Sequence, residues 1–365
     1  MNWVKKHEGV FTSVIALLLS LAVAGVVIAL LGKNPFSAFG NLLQGSGILP
    51  KLRYAGGKSM LTDFCSFLNY WTPMIFAALG VAVALKAGLF NIAISGQMLA
   101  AGFASAIIVG YSSLDSMIAK PLVILISIAA GGAVGALIGW LKYRFNINEV
   151  VSSIMTNYIL QYVVAFLVNM YYVDPISRQS RAVSDAARLT LANIEFNGYR
   201  YDIPLGMILA LVIVVGIQFV FKKTTFGYEL AAVGLNRKAA QYAGIHVGKT
   251  MILAMFISGA LAGIAGATYY LGYFASIQPK VLAATGYDSI AVALLGNSNP
   301  IGILFASFLI SVIGKGSTYM SSTAGLDAEL SSVIISLILL FSACSVYIAH
   351  CIKKVTGKRK TEVEK

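Results

Sequence analysis

The chain has 365 residues, of which 58% are hydrophobic and only 11% charged, with a mean hydropathy of +0.81. Soluble domains carry about 25% charged residues, so this composition excludes a soluble globular protein and predicts an all-α, polytopic membrane helical bundle. The formal net charge of +13 comes from short basic clusters beside apolar runs, which membrane topology explains and nucleic-acid binding does not.

After Lys5 and Lys6, the apolar run from Val10 to Leu31 is long enough to span and lacks an A-x-A-like cleavage site. It is read as a retained extra helix over residues 10–31. Residues 32–67 are mixed and glycine-bearing, with short amphipathic possibilities, and are expected on the outer surface. Apolar segments recur at about 68–86, 91–111, 121–141, 149–171, 203–221, 250–273, 284–296, 301–314 and 330–350, giving ten crossings in a single transmembrane domain over 1–365. The segments 284–296 and 301–314 fall below the ~20 residues of a full span, which predicts tilted, broken or re-entrant helices around a turn at Asn297 to Pro300. Val81 to Leu85 before Gly88 to Ile94 echoes Ile290 to Leu294 before Asn297 to Ile303, which reads as an internal parallel repeat, with coincidence between Ala/Val/Leu-rich strings as the competing reading. Gly131, Gly135 and Gly139 on one helix, and Gly259, Gly263 and Gly266 on another, supply small faces for close helix packing.

Between the sixth and seventh crossings lies the polar stretch 222–249, KKTTFGYELAAVGLNRKAAQYAGIHVGK. Asn236 can cap a helix over Arg237 to Ala243, and Gly244 readily takes the left-handed conformation just past its end. Seven residues make a helix roughly 10 Å long, with Ala239, Ala240 and Ala243 as a small face and Tyr242 beside it. Such a face suits insertion into a partner's groove, and a solvated connector is the competing reading. The Gly-Lys-Thr at residues 248–250 is no nucleotide loop: Ala243 stands where the pattern requires glycine, and a short helix, not a buried strand, precedes it. Cys65, Cys344 and Cys351 show no metal spacing and read as buried thiols, the last two on one helix face, and His7, His246 and His350 are scattered near membrane edges.

Acidic residues are scarce inside the predicted spans, with Glu149 and Asp288 near helix ends, so energy for any transport comes from outside this chain. Neutral polar residues do lie at depth. Asn157 and Gln161 are one turn apart and about 12 to 18 Å from Glu149 along a helix, close to mid-bilayer. Asn91, Ser95 and Gln97 take the corresponding place in the other segment. These five can hydrogen-bond a polar solute or hold helices together.

Four stretches, GLFNIAISGQMLAAG (88–102), NEVVSSIMTNYI (148–159), GLNRKAAQYAGI (234–245) and IAVALLGNSNPIG (290–302), resemble in this order the permeases of bacterial ABC importers for nucleosides and related solutes, within the branched-chain amino acid and simple-sugar permease superfamily. The resemblance covers about residues 70–315. It implies a non-enzymatic transport subunit of the bacterial plasma membrane, with Gly234 to Ile245 as the coupling helix and Gly234, Asn236, Arg237, Ala239, Ala240, Tyr242 and Gly244 at the ATPase contact. It also implies three partners: a second, unlike permease, an ABC ATPase with two nucleotide-binding halves, and an extracytoplasmic substrate-binding lipoprotein. ATP and Mg would then belong to the ATPase, leaving no cofactor in this chain. Related permeases often carry Glu where Ser95 stands, so an ionic role there does not carry over. Riboflavin or simple sugars are alternative solutes for such a permease, and an ATPase-independent secondary transporter is the competing class.

Lys and Arg divide 16 to 11, and acids 5 to 9, between the side holding both termini and the opposite side. The positive-inside rule therefore puts the termini, the 222–249 loop and the basic 351–365 tail in the cytoplasm. A cysteine placed at Lys238 is expected to react with an impermeant thiol reagent only after the cells are opened; labelling from outside intact cells would invert the topology.

Overall fold

A computed structural model describes residues 8–344 and 347, apart from 55, 57, 197, 198 and 328. His7, His350, Cys351 and the basic tail expected at 351–365 lie outside the described residues. Two helices precede the main body: α1 (Glu8–Leu30) and α2 (Pro35–Gly45). They are followed by α3 (Met60–Lys86), α4 (Ile94–Ser105), α5 (Ser116–Phe145) and α6 (Glu149–Leu167). A hairpin of β1 (Thr190–Phe196) and β2 (Tyr199–Pro204) then leads into α7 (Leu205–Lys223) and the short α8 (Thr225–Leu235) and α9 (Arg237–Tyr242). The chain continues through α10 (Val247–Gly266), α11 (Ala284–Leu295), α12 (Pro300–Ala324) and α13 (Leu330–Ala343).

Among the described residues seven helices are long and apolar enough to cross a membrane: α1, α3, α5, α6, α7, α10 and α12. Three shorter apolar helices, α4, α11 and α13, occupy the remaining places in the ten-crossing scheme. Thus 284–296 is short, as expected: twelve residues of α11 reach about 18 Å, less than the ~30 Å hydrocarbon core. The expectation for 301–314 is corrected. That segment opens α12, which runs 25 residues. Its apolar run is interrupted at Lys315, Ser317 and Thr318, but the helix continues because those groups find partners: Lys315 Nζ donates to Tyr273 Oη at 2.7 Å and lies 4.9 Å from its ring centre. Residues 32–67 hold a short helix of the kind their composition allows. Asn34 caps α2, whose Ala38, Leu42 and Gly45 are buried, and α3 starts at Met60 behind a capping box formed by Ser59 and Thr62.

Three helices end in wider π-helical turns that the apolar periodicity does not signal: α4 in Ala106–Gly110, α6 in Val168–Tyr172 and α10 in Ala267–Tyr273. Cys65 is half-buried, whereas Cys344 is exposed, contrary to the buried reading.

The centre of the bundle is α10 against α5, with α3 and α4 packed on α10. Lipid tails supply little drive for helix association, so packing depends on close backbone contact. Gly131 and Gly135 meet Gly259 and Gly263, whereas Gly266 packs against Met98 of α4. A Cβ on Gly131 would strike the Gly259 carbonyl, one on Gly135 the Met255 carbonyl, and one on Gly263 the Ser127 carbonyl. The echoing turns after α3 and after α11 both lie on the side that carries α8 and α9, but they join helices in opposite order of length: long then short at Ala87–Ala93, short then long at Gly296–Asn299.

Gly135→Ala is expected to lower stability by about 1–3 kcal/mol through overpacking, read as a lower midpoint of thermal unfolding in detergent. Gly216→Ala on α7, where an added Cβ meets nothing within 4 Å, should leave the midpoint unchanged or raise it slightly.

Candidate functional site

The chain between α3 and α4, Ala87–Ala93, is non-helical backbone inside a helical bundle, and its polar groups need partners within the protein. Gly88 supplies the turn with φ +66°. Asn91 is wholly buried and joins three elements: its Nδ2 donates to Gln97 Oε1 (3.0 Å) and Ser258 Oγ (2.8 Å), and its Oδ1 accepts from the Ala93 amide (3.0 Å). The first turn of α4 has no side-chain cap of its own. A cap arrives from another helix instead: Asn157 Oδ1 on α6 accepts from the Gly96 amide at 2.8 Å, while its Nδ2 donates to the Ile92 carbonyl (2.9 Å) and to Tyr287 Oη (3.4 Å). Gly96 permits that approach, because a Cβ there would stand 2.6 Å from Asn157 Oδ1.

Ser95, also fully buried, donates to the Ala283 carbonyl at 2.9 Å and faces Gly286 at the start of α11. Gln161, one turn beyond Asn157, is half-buried and donates through Nε2 to the Lys280 carbonyl at 2.6 Å. The five polar residues read from the sequence therefore converge on one junction between the α3–α4 turn, α6 and the lead-in to α11. Four of them are closed off and hydrogen-bonded, with Gln97 Nε2 left unmatched, and only Gln161 reaches an accessible face.

That face belongs to α6. Tyr158, Ile159, Tyr162 and Phe166 are each more than half exposed, and no charged residue occurs between Glu149 and Asp174. Tyr158 and Tyr162 stand about 14 and 20 Å along the helix from Glu149, at mid-bilayer depth. A phenol turned toward hydrocarbon there would strand its hydroxyl, at a cost of order 1–3 kcal/mol, so this face meets protein or water. The π turn Val168–Tyr172 carries the aromatic line outward to Tyr171 and Tyr172. There Tyr111 stacks on Tyr172 with ring centres 5.6 Å apart, and Arg181 completes the rim of a cavity of about 390 Å³. The adjoining loop is held by Asp174, whose carboxylate accepts from Ser177 Oγ at 2.7 Å and, with the Ile176 and Ser177 amides, stays below the usual carboxylate range.

On the opposite side, α8 and α9 sit directly over the α3–α4 turn. Asn236 caps α9 through the Ala239 amide, and Gly244 takes φ +85° just past its end. Gly234 packs against the turn so closely that a Cβ would strike the Lys86 carbonyl, and Arg237 donates to the Gly88 carbonyl at 3.2 Å. The alanine face divides. Ala239 and Ala243 are exposed, but Ala240 is 3% exposed and buried in the cluster that also holds Leu89, Ala93, Val233 and Met251. It faces inward, not on the outer face that the sequence suggested. The outward groups are Tyr242, 94% exposed, and Leu235, 89% exposed. Leu235 was not singled out in the sequence, and its one signal is an apolar residue set between Gly234 and the cap Asn236.

A family model described as the permease component of branched-chain amino acid transport systems matches residues 64–343. The chain belongs to that family. Among its relatives, the guanosine ABC transporter permease protein NupP of Bacillus subtilis is 34% identical over 360 residues, covering 98% of each chain. The nucleoside ABC transporter permease protein NupB of Lactococcus lactis is 31% identical, covering 99% of this chain and 98% of the other. The probable riboflavin import permease protein RfuC of Treponema pallidum is 24% identical, covering 81% and 77%. As a family member the chain is a multi-pass permease, a transport component of the plasma membrane. Replacing Asn157 of this permease with Leu leaves the Gly96 amide and Ile92 carbonyl without their partner. A loss of about 1–3 kcal/mol is expected, measurable as a lower unfolding midpoint, with Asn157→Gln milder than Asn157→Leu.

Proposed function

We propose that this permease conducts nucleosides as the membrane subunit of an ATP-driven importer. The observation that carries the solute is the uncharged, tyrosine-rich face of α6 at mid-bilayer depth. A nucleoside presents a planar base and a hydroxylated sugar without fixed charge, and aromatic rings can stack on the base for about 1–3 kcal/mol. End-to-end likeness to permeases named for guanosine and nucleosides supports the same solute class; the riboflavin relative matches over a smaller share and at lower identity. Tyr158, Gln161 and Tyr162, with Tyr287 beside Asn157, line the path in this reading. Asn91, Ser95, Gln97 and Asn157 hold the wall that carries them. A second, unlike permease closes the path from the other side, and an extracytoplasmic receptor delivers solute near Tyr111, Tyr172 and Arg181.

Coupling follows from the contacts beneath. An ABC ATPase with two nucleotide-binding halves, which holds the ATP and Mg, docks on Leu235, Ala239 and Tyr242 on the cytoplasmic side. A displacement of α9 is passed to the α3–α4 turn through Gly234 and Arg237, and from Asn91 and Asn157 to α6. The absence of acids along α6 beyond its first residue, Glu149, favours this arrangement over a proton- or sodium-driven carrier.

Tyr242→Asp and Leu235→Asp should each abolish copurification of the ATPase while the permease still inserts, because a charge would be buried unpaired in the docking groove. Full recovery of the ATPase with both variants would sink the docking assignment. In cells lacking other nucleoside carriers, the complex should import labelled guanosine or another nucleoside, and Tyr158→Ala with Tyr162→Ala should cut uptake at least about fivefold with ATPase assembly intact. No nucleoside uptake by the unmodified complex would refute the solute; unchanged uptake by the double variant would refute the path.

A further inference from the structure

An apolar groove lies outside the path, between α1, the end of α7 and the turn joining α11 to α12. Its volume is about 520 Å³. Val14 and Leu17 of α1 form one wall, and Ile301, Phe305 and Leu309 of α12 form another. Val14 and Ile301 remain about half exposed and Phe305 largely so, so within this chain the groove is open. Leu309 stands nine residues into α12, which takes the groove roughly 13 Å into the membrane from the level of Pro300.

The rim has a different chemistry. Lys222, in the last turn of α7, Gln218 one turn earlier, and the amides Asn297 and Asn299 all border the groove, and no carboxylate lines it. Asn299 Oδ1 is occupied in capping α12, where it accepts from the Ile301 amide at 3.1 Å, so the side chain offers its Nδ2 donor outward. Asn297 and Ser298 take consecutive left-handed conformations, φ 51° and 50°, which turn the chain tightly and bring this rim beside Lys222. The positive end of the 25-residue α12 dipole points to the same place. An apolar slot of acyl-chain depth, topped by a lysine, amide donors and a helix N-terminus, has the two-part character of a phospholipid with an anionic headgroup; basic pockets between transmembrane helices bind such lipids.

We propose that this groove is a specific site for an anionic phospholipid of the leaflet that adjoins α8 and α9. The phosphate-bearing headgroup sits at Lys222, Asn297 and Asn299, and one acyl chain lies between α1 and α12. The lipid thereby couples the extra helix α1 to the α11–α12 turn.

The test uses the intact complex, purified in detergent and offered dioleoylphosphatidylglycerol or dioleoylphosphatidylcholine, with retained lipid counted by native mass spectrometry. Phosphatidylglycerol should be retained in preference, and Lys222→Gln should reduce its retention about fivefold, the effect of roughly 1 kcal/mol for one basic group. Lys222→Arg should keep it, as should Lys223→Gln, since Lys223 does not border the groove. Equal retention of both lipids, or undiminished retention by Lys222→Gln, overturns the proposal. So does an intact complex that holds no phosphatidylglycerol, the result expected if a partner subunit or a terminal segment of this chain fills the groove.

Discussion

The structure rests on the hydrogen bonds that make a break in a membrane helix tolerable. Between α3 and α4 the backbone leaves the helical path, and in an apolar medium each unmet amide or carbonyl costs several kcal/mol. Asn91 and Asn157 meet that demand from two directions. One lies in the break and ties it to α4 and α10. The other reaches across from α6 and takes the place of the cap that α4 lacks. Because the partners stand on four different helices, the break also fixes how those helices sit against one another.

The same bonds make the junction a mechanical node. Directly beneath it, Gly234 and Arg237 touch the turn at Lys86 and Gly88; directly beside it, Asn157 is part of α6. A close-packed backbone contact transmits displacement, since a protein interior yields little under strain. The inward orientation of Ala240 belongs to this logic: it seals α9 onto the cluster around Leu89 and Val233, while Tyr242 and Leu235 stay outward.

Much of this arrangement is legible in the residues. The cap at Asn236 and the left-handed Gly244 are local, and local chemistry can be read directly from spacing. The paired glycine faces were visible as small-residue stripes, although their pairing with each other is a tertiary fact. Asn91, Ser95, Gln97, Asn157 and Gln161 stood out because polar groups in apolar runs need a reason. What spacing could not show was the choice between solute and protein as their partner, which depends on Ser258, Ala283 and Lys280, more than a hundred residues away in the chain. The full length of α12 was hidden for a similar reason. Lys315 breaks the apolar run, and its contact with Tyr273 gives the charge a partner there. Tyr158 and Tyr162, spaced one turn apart beside Gln161, were a legible signal that the polar residues overshadowed.

The cross-helix capping of α4 has a consequence for biosynthesis. Gly96 leaves the ribosome 61 residues before its cap Asn157, an interval of roughly three to twelve seconds at ordinary elongation rates. Over that time α4, short and without its own cap, has an exposed polar end that lipid cannot satisfy. The nascent bundle must therefore hold this helix at the translocon or in the headgroup region until α6 and then α10 arrive. The order of synthesis thus has α6 cap α4 first, α10 join Asn91 next, and α11 with its lead-in complete the contacts of Asn157 and Ser95 last.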